Sequence, residues 1–195
     1  MGKIFYIIGK SATGKDTIYE NICEDKTLNL NRIVMYTTRP IREGEIDGVT
    51  YHFVDEDGYL AIKEKGLIIE EKSYSTMHGL WRYFTVSDDQ IELDDKSYIM
   101  TGVLKSFVSI RDFFGKDKVV PVYIEIDDGI RLERALKREL KSENRKFNEM
   151  CRRFLADSED FAEEKIKEAG IVKRFENIDL EECIKEVKAY IAANM

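Results

Sequence analysis

Gly9-Lys10-Ser11-Ala12-Thr13-Gly14-Lys15 spells G-x-x-x-x-G-K, and Asp16 and Thr17 follow it. Glycines at both ends of such a loop let backbone N–H groups close around a phosphate. A helix that starts at the second glycine adds the positive end of its dipole. Lys15 then offers a cation to the β- and γ-oxygens, so the whole loop, Ser11, Ala12 and Thr13 included, is a cradle for a nucleoside triphosphate. A hydroxyl side chain that holds Mg²⁺ usually follows the lysine; here the position carries a carboxylate. A carboxylate is a good hard ligand for Mg²⁺ but adds negative charge beside the phosphates. Asp16 either binds the metal, directly or through water, or leaves Thr17 to take part, or is simply a first-turn acid favoured by the dipole.

A second constellation follows. Arg39 and Arg42 place two guanidinium forks close together, suited to clamping a phosphate with paired, charge-assisted bonds, and Tyr51 adds a hydroxyl. The competing reading is a solvated surface loop. Further on, Arg134 and Arg138 fall one turn apart on a single helix face, in a cation-rich segment from Arg131 to Arg153. Phosphoryl transfer needs such cations, because charge spreads over the oxygens of the migrating group. A solvated, salt-bridged helix pair explains any single one of these arginines equally well, and Arg131, Arg145 and Arg152 are read that way. His52, alone, is read as structural.

These side chains need a scaffold. Ile4 to Ile8 is a continuous apolar, β-prone run, as expected of a strand buried on both faces of a parallel sheet. The loop follows it, then a helix from Lys15 to about Glu24. Ile33 to Tyr36 reads as a second strand, and Thr37 to Val54 is polar and turn-rich. A helix over Asp57 to Lys65 precedes β-like segments near Leu67 to Glu70 and Leu80 to Val86. Ser87 to Gln90 has the form of a capping box opening a short helix. Ser97 to Thr101 and Val119 to Ile126 are buried-strand candidates, with a helix from Val103 to Phe114 stopped at Gly115 between them. Charged helices fill the chain from Gly129, the last starting at Asp179. This alternation predicts a three-layer α/β fold with a mainly parallel sheet, and 35–95 departs from it as an inserted lobe.

Composition narrows the class. The 195 residues are 43% hydrophobic and 35% charged, with two prolines, as in an ordinary globular protein. A net charge of -7 argues against a nucleic-acid partner, which needs concentrated positive surface. Cys23, Cys151 and Cys183 are widely spaced, so reduced thiols in the cytoplasm fit better than a disulfide framework or a zinc site. No apolar run approaches membrane length, and Ile4 to Ile8 is too short for a signal segment, so no membrane partner is expected.

The stretch from Tyr36 to Val54 closely resembles the guanylate kinase signature T-T-R-x-x-R-x-G-E-x-x-G-x-x-Y-x-F-[VI], with every fixed position present. The resemblance extends more weakly over essentially the whole chain. It implies a P-loop nucleoside-monophosphate kinase fold, with a core of 1–34, 96–130 and 160–195, a monophosphate-binding lobe at 35–95 and a helical lid at 131–159. It implies ATP with Mg²⁺ as donor, GMP as acceptor and no obligate protein partner. Arg39, Arg42 and Tyr51 would then hold the acceptor's phosphate, with Glu45 orienting an arginine. Ile68-Ile69-Glu70 and Tyr83-Phe84-Thr85 resemble the family's base pocket: Glu70 would accept from guanine, and Tyr83 and Thr85 would contact phosphate and base. The spacing between these pieces is a few residues longer than usual, which puts extra chain around Ser75 to Leu80 and makes Glu71 a possible substitute for Glu70. Arg134 and Arg138 match the paired lid arginines. Arg153, with Asp160 after it, resembles the arginine of the next helix, and Asn177 the asparagine near the adenine pocket.

Two departures bear on the base. Met35 stands where the family has serine, and the strand Tyr98 to Gly102 lacks the family's guanine-binding aspartate. Thr101 could replace one hydrogen bond but not a charge, and an unmet buried donor costs about 1–3 kcal/mol. The resemblance therefore leaves another nucleoside or deoxynucleoside monophosphate open as acceptor. Because some guanylate-kinase-like domains are scaffolds, it also leaves open a non-catalytic binding module, against which the intact Gly14-Lys15 and the lid arginines speak.

Overall fold

The computed structural model describes residues 1–76 and 79–195. Five strands, β1 (Ile4–Ile8), β2 (Leu30–Arg32), β7 (Ser97–Gly102), β8 (Val119–Glu125) and β9 (Arg174–Glu176), form one sheet in the order β2-β7-β1-β8-β9. Every pairing in it is parallel. All of β1 is buried, and its side chains alternate between two cores. Ile4, Tyr6 and Ile8 meet Leu104, Phe107 and Ile110 of α3 (Leu104–Phe114) on one face. Phe5 and Ile7 meet Ile18 and Ile22 of α1 (Lys15–Glu24) and Val187 and Ile191 of α7 (Leu180–Ala193) on the other. Helix, sheet and helix are thus the three layers read from the sequence. The cap of α7 is also the expected one, with the Asp179 carboxylate accepting from the Glu182 N–H.

A second sheet holds β3 (Tyr36–Thr37), β4 (His52–Phe53), β5 (Ile68–Thr76) and β6 (Gly79–Val86), in the order β4-β3-β6-β5. Its core is small: Tyr59 of α2 (Glu56–Glu64) packs on Phe84 and Val86. β5 and β6 pair antiparallel from Ile68↔Val86 to Thr76↔Gly79. The extra chain expected around Ser75 to Leu80 thus extends this pair, although Met77 and His78 lie outside the described residues. Three helices, α4 (Asp128–Lys141), α5 (Phe147–Asp160) and α6 (Glu163–Glu168), follow β8.

Several sequence expectations are corrected. Ile33 to Tyr36 is not one strand: the chain leaves the first sheet after Arg32 and joins the second at Tyr36, so this run is the crossing between them. The Val34 N–H donates to Gln90 Oε1 at 2.8 Å. That bond also explains why Ser87 to Gln90 starts no helix. Asp88 accepts from the Tyr36 hydroxyl at 2.6 Å and from the Gln90 N–H at 3.3 Å, so these side chains tie a local turn to the crossing segment instead of capping a helix. β9 was not foreseen, because only Phe175 of its three residues is buried. Among the described residues, no helix is long and apolar enough to cross a membrane.

Gly102 ends β7 against the Tyr6 hydroxyl, with which an added Cβ would collide. Tyr6 is fully buried and has no room to swing aside. Gly102→Ala should therefore cost about 1–3 kcal/mol of overpacking in urea unfolding. Tyr6→Phe in the same chain should return part of that loss.

Candidate active site

The phosphate loop runs from the end of β1 into α1. Gly14, at the helix N-cap, adopts φ 91°, a conformation glycine enters without strain. The loop is braced from behind: Thr13 Oγ1 donates to the Lys10 carbonyl at 2.9 Å, and Asn177 Nδ2 donates to the Thr13 carbonyl at 2.7 Å. Asn177 is 1% exposed, and its backbone carbonyl accepts from Arg134 Nη2 at 3.0 Å. The first N–H groups of α1 have no intrahelical acceptor and are available to an anion. Lys15 Nζ lies 2.8 Å from Asp16 Oδ1, and the Asp16 carboxylate is open to solvent, as is Thr17.

The arginine loop is built around a buried ion pair. Arg39, only 4% exposed, donates from Nη1 and Nη2 to Glu45 at 2.7 and 2.5 Å. Glu45 also accepts from the Arg42 N–H at 2.8 Å, so one carboxylate fixes the turn that carries both arginines. The Arg39 guanidinium sits 5.1 Å from the centre of the Tyr51 ring, and Tyr51 meets Tyr83 edge-on at 5.7 Å. Burial pushes the Tyr51 hydroxyl above its ordinary value, so it stays protonated as a donor. Arg39 Nε is buried without an acceptor among the described residues. Arg42 is exposed, 5.8 Å from the Trp81 ring.

Glu70 lies where β5 passes α3. Its two oxygens accept from Thr85 Oγ1 at 2.8 Å and Ser106 Oγ at 2.7 Å, and Ser106 is a partner the sequence did not suggest. Glu71 is no substitute. It accepts from the Tyr59 hydroxyl at 2.6 Å and from Arg82, on the opposite side of the strand. Thr101 Oγ1 donates to the Ile7 carbonyl at 3.1 Å. Thr101 also lines a cavity of about 390 Å³ with Asp16, Met35 and Tyr51, between the helix after the phosphate loop and the segment ending at Tyr51.

Helices α4 and α5 also reach the loop. Arg153 Nη2 donates to Ser11 Oγ at 3.2 Å, while Arg138 is exposed. Arg131, read as solvated, is in fact 1% exposed. It donates to Asp128 at 2.9 Å and to Asp157 at 3.3 Å, and stacks 3.9 Å from the centre of the Phe154 ring. Asp157 also contacts the loop, accepting from the Ser11 N–H at 2.7 Å. The available signal was that Arg131 shares the buried face of α4 with Ala135, but its partner on α5 is far away in sequence. Arg145 and Arg152 are exposed as read, Arg152 being paired with Glu149.

A sequence model described as guanylate kinase matches residues 1–194. A guanylate kinase of Malacoplasma penetrans is 30% identical over 142 residues, which cover 72% of this chain and 68% of that protein. One from Desulfotalea psychrophila is 41% identical over 69 residues, covering 35% of this chain and 34% of its own. The fold is similar to the crystal structure of guanylate kinase from Anaplasma phagocytophilum, with a TM-score of 0.64 at 19% identity, over 98% of this chain and 85% of that one.

The bond from Arg39 holds Glu45 at about 2, below the ordinary 4.5. The bridge therefore contributes stability above about 4.5 and loses it as the pH falls toward about 2. Glu45→Gln should be less stable than the parent at neutral pH, and urea unfolding should show the gap closing across that window.

Proposed function

Because the chain belongs to the guanylate kinase family, and with it to the nucleoside-monophosphate kinases, we propose that it transfers the γ-phosphate of ATP to GMP, giving ADP and GDP. The observation that carries this reading is the cavity shared by Asp16 of the phosphate loop's helix and Tyr51 of the arginine loop. The helix that follows the phosphate loop and the segment that carries Tyr51 thus face one space.

In this reading the triphosphate lies on Gly9 to Thr17, with Lys15 at its outer oxygens. The acceptor's phosphate is held by Arg39, Arg42, Tyr51 and Tyr83, and the buried Arg39 Nε–H gains an acceptor that it lacks among the described residues. Glu70, already fixed by Thr85 and Ser106, accepts from the N1–H and 2-amino group of guanine, donors that adenine does not present. An oxygen of the acceptor phosphate attacks the γ-phosphorus and ADP leaves. The attacking oxygen is already anionic, so no general base is needed. Arg134, Arg138 and Arg153 neutralise charge on the migrating group as a lid over 131–159 closes on the lobe at 35–95 and the core. Asp16 and Thr17 fit Mg²⁺, since an exposed carboxylate and a hydroxyl suit an ion that keeps several waters and binds substrate phosphates. When bound, it supplies further charge neutralisation. The protein acts on free cytoplasmic nucleotides and needs no nucleic acid, membrane or protein partner.

A second acceptor is favoured by one observation: the strand facing the cavity contributes Met100 and Thr101 and no acid. A coupled ADP-release assay over ribo- and deoxynucleoside monophosphates decides between them. GMP should turn over fastest. Turnover of AMP or a pyrimidine nucleotide without GMP would remove the guanine assignment alone, and no turnover at all would remove the kinase reading. Lys15→Ala should abolish activity, and Arg39→Ala should raise the acceptor KM about tenfold or more.

A further inference from the structure

We propose that Arg131 and Asp157 are positioning residues that hold the phosphate loop in its triphosphate-receiving shape by clamping both backbone groups of Ser11. This rests on the loop being the donor site.

Ala12 is the reason a clamp is needed. It sits at φ 65°, the left-handed region, without being glycine. A Cβ in that conformation costs roughly 1–2 kcal/mol, and such a residue persists only where its surroundings over-determine it. The angle relates the Ser11–Ala12 peptide to the chain beyond it; Thr13, braced by Asn177 and by its own bond to Lys10, holds the far side, so fixing that peptide completes the restraint. Arg131 Nη1 donates to the Ser11 carbonyl of that peptide at 3.4 Å. Asp157 Oδ2 accepts from the Ser11 N–H at 2.7 Å. The two side chains are themselves joined at 3.3 Å, so one ion pair grips the chain on both sides of the Ser11 α-carbon. Arg131 extends the grip through Asp128, which also binds Lys10 Nζ at 3.2 Å.

The arrangement is a poor one for stability alone. Arg131 is 1% exposed, and its Nη2 is buried with no partner among the described residues. An apolar side chain against Phe154 would avoid that cost, since buried ion pairs are often replaced by apolar residues without loss. The cation is instead spent on loop geometry. The clamp also fastens the loop to the helices that carry Arg134, Arg138 and Arg153, so a triphosphate that shifts Ser11 pulls on both.

The test measures ATP binding by calorimetry without acceptor, beside urea stability and steady-state kinetics. Asp157→Ala should weaken ATP binding about tenfold, the value of one hydrogen bond to a charged group, and leave the acceptor KM unchanged. The double variant Arg131→Leu/Asp157→Ala should match the parent in stability yet bind ATP as weakly as Asp157→Ala. Adding Ala12→Gly should recover most of the lost affinity, because glycine adopts the angle without strain. Parental ATP affinity in a stable double variant would overturn the proposal, and so would a loss that Ala12→Gly leaves untouched. An unmodified protein that binds no ATP would remove the donor-site reading itself.

Discussion

Everything in this molecule is referred to β1, a strand with no exposed side chain, paired in parallel on both edges by β7 and β8. Such a strand has nowhere to move, and the loop that leaves its end inherits that fixity. Phosphate-binding backbone groups have value only if they are aimed before the anion arrives, because reorganising them would consume the binding energy. The supports gathered behind the loop all come from elements that β1 itself organises: Asn177 beside β9, Thr13 within the loop, and the α4–α5 pair after β8.

The second sheet solves a different problem. Its arginine is buried and charged, and a buried guanidinium is tolerable only when its donors are met. Glu45 meets two of them and at the same time fixes the Arg42 backbone, so one carboxylate braces a sheet whose core is small. Both loops are thus held by polar bonds, but only the one after β1 also stands beside a large apolar core.

How much was legible in the sequence follows from the same division. β1 and the loop were readable because a continuous apolar run and a glycine-framed turn are local signals. The Arg39 loop was readable because its spacing resembles a known signature. Arg131 was not, since a buried cation looks like a solvated one until the acid opposite it is known, and Asp157 lies on another helix. Gln90 was misread for a related reason. Its carbonyl can cap a helix or receive a crossing strand, and only the tertiary arrangement put Val34 in reach. β9 carries two charged residues around one phenylalanine, too short a pattern to announce a strand.

One bond spans the division between the two sheets. Glu70 stands on β5, in the second sheet, while Ser106, which holds one of its oxygens, stands on α3 against the first. The acid that would read a base is therefore a rivet between two bodies. Its position is tied to how far apart they sit. Parting the two sheets must therefore either move that carboxylate or break its bond to Ser106.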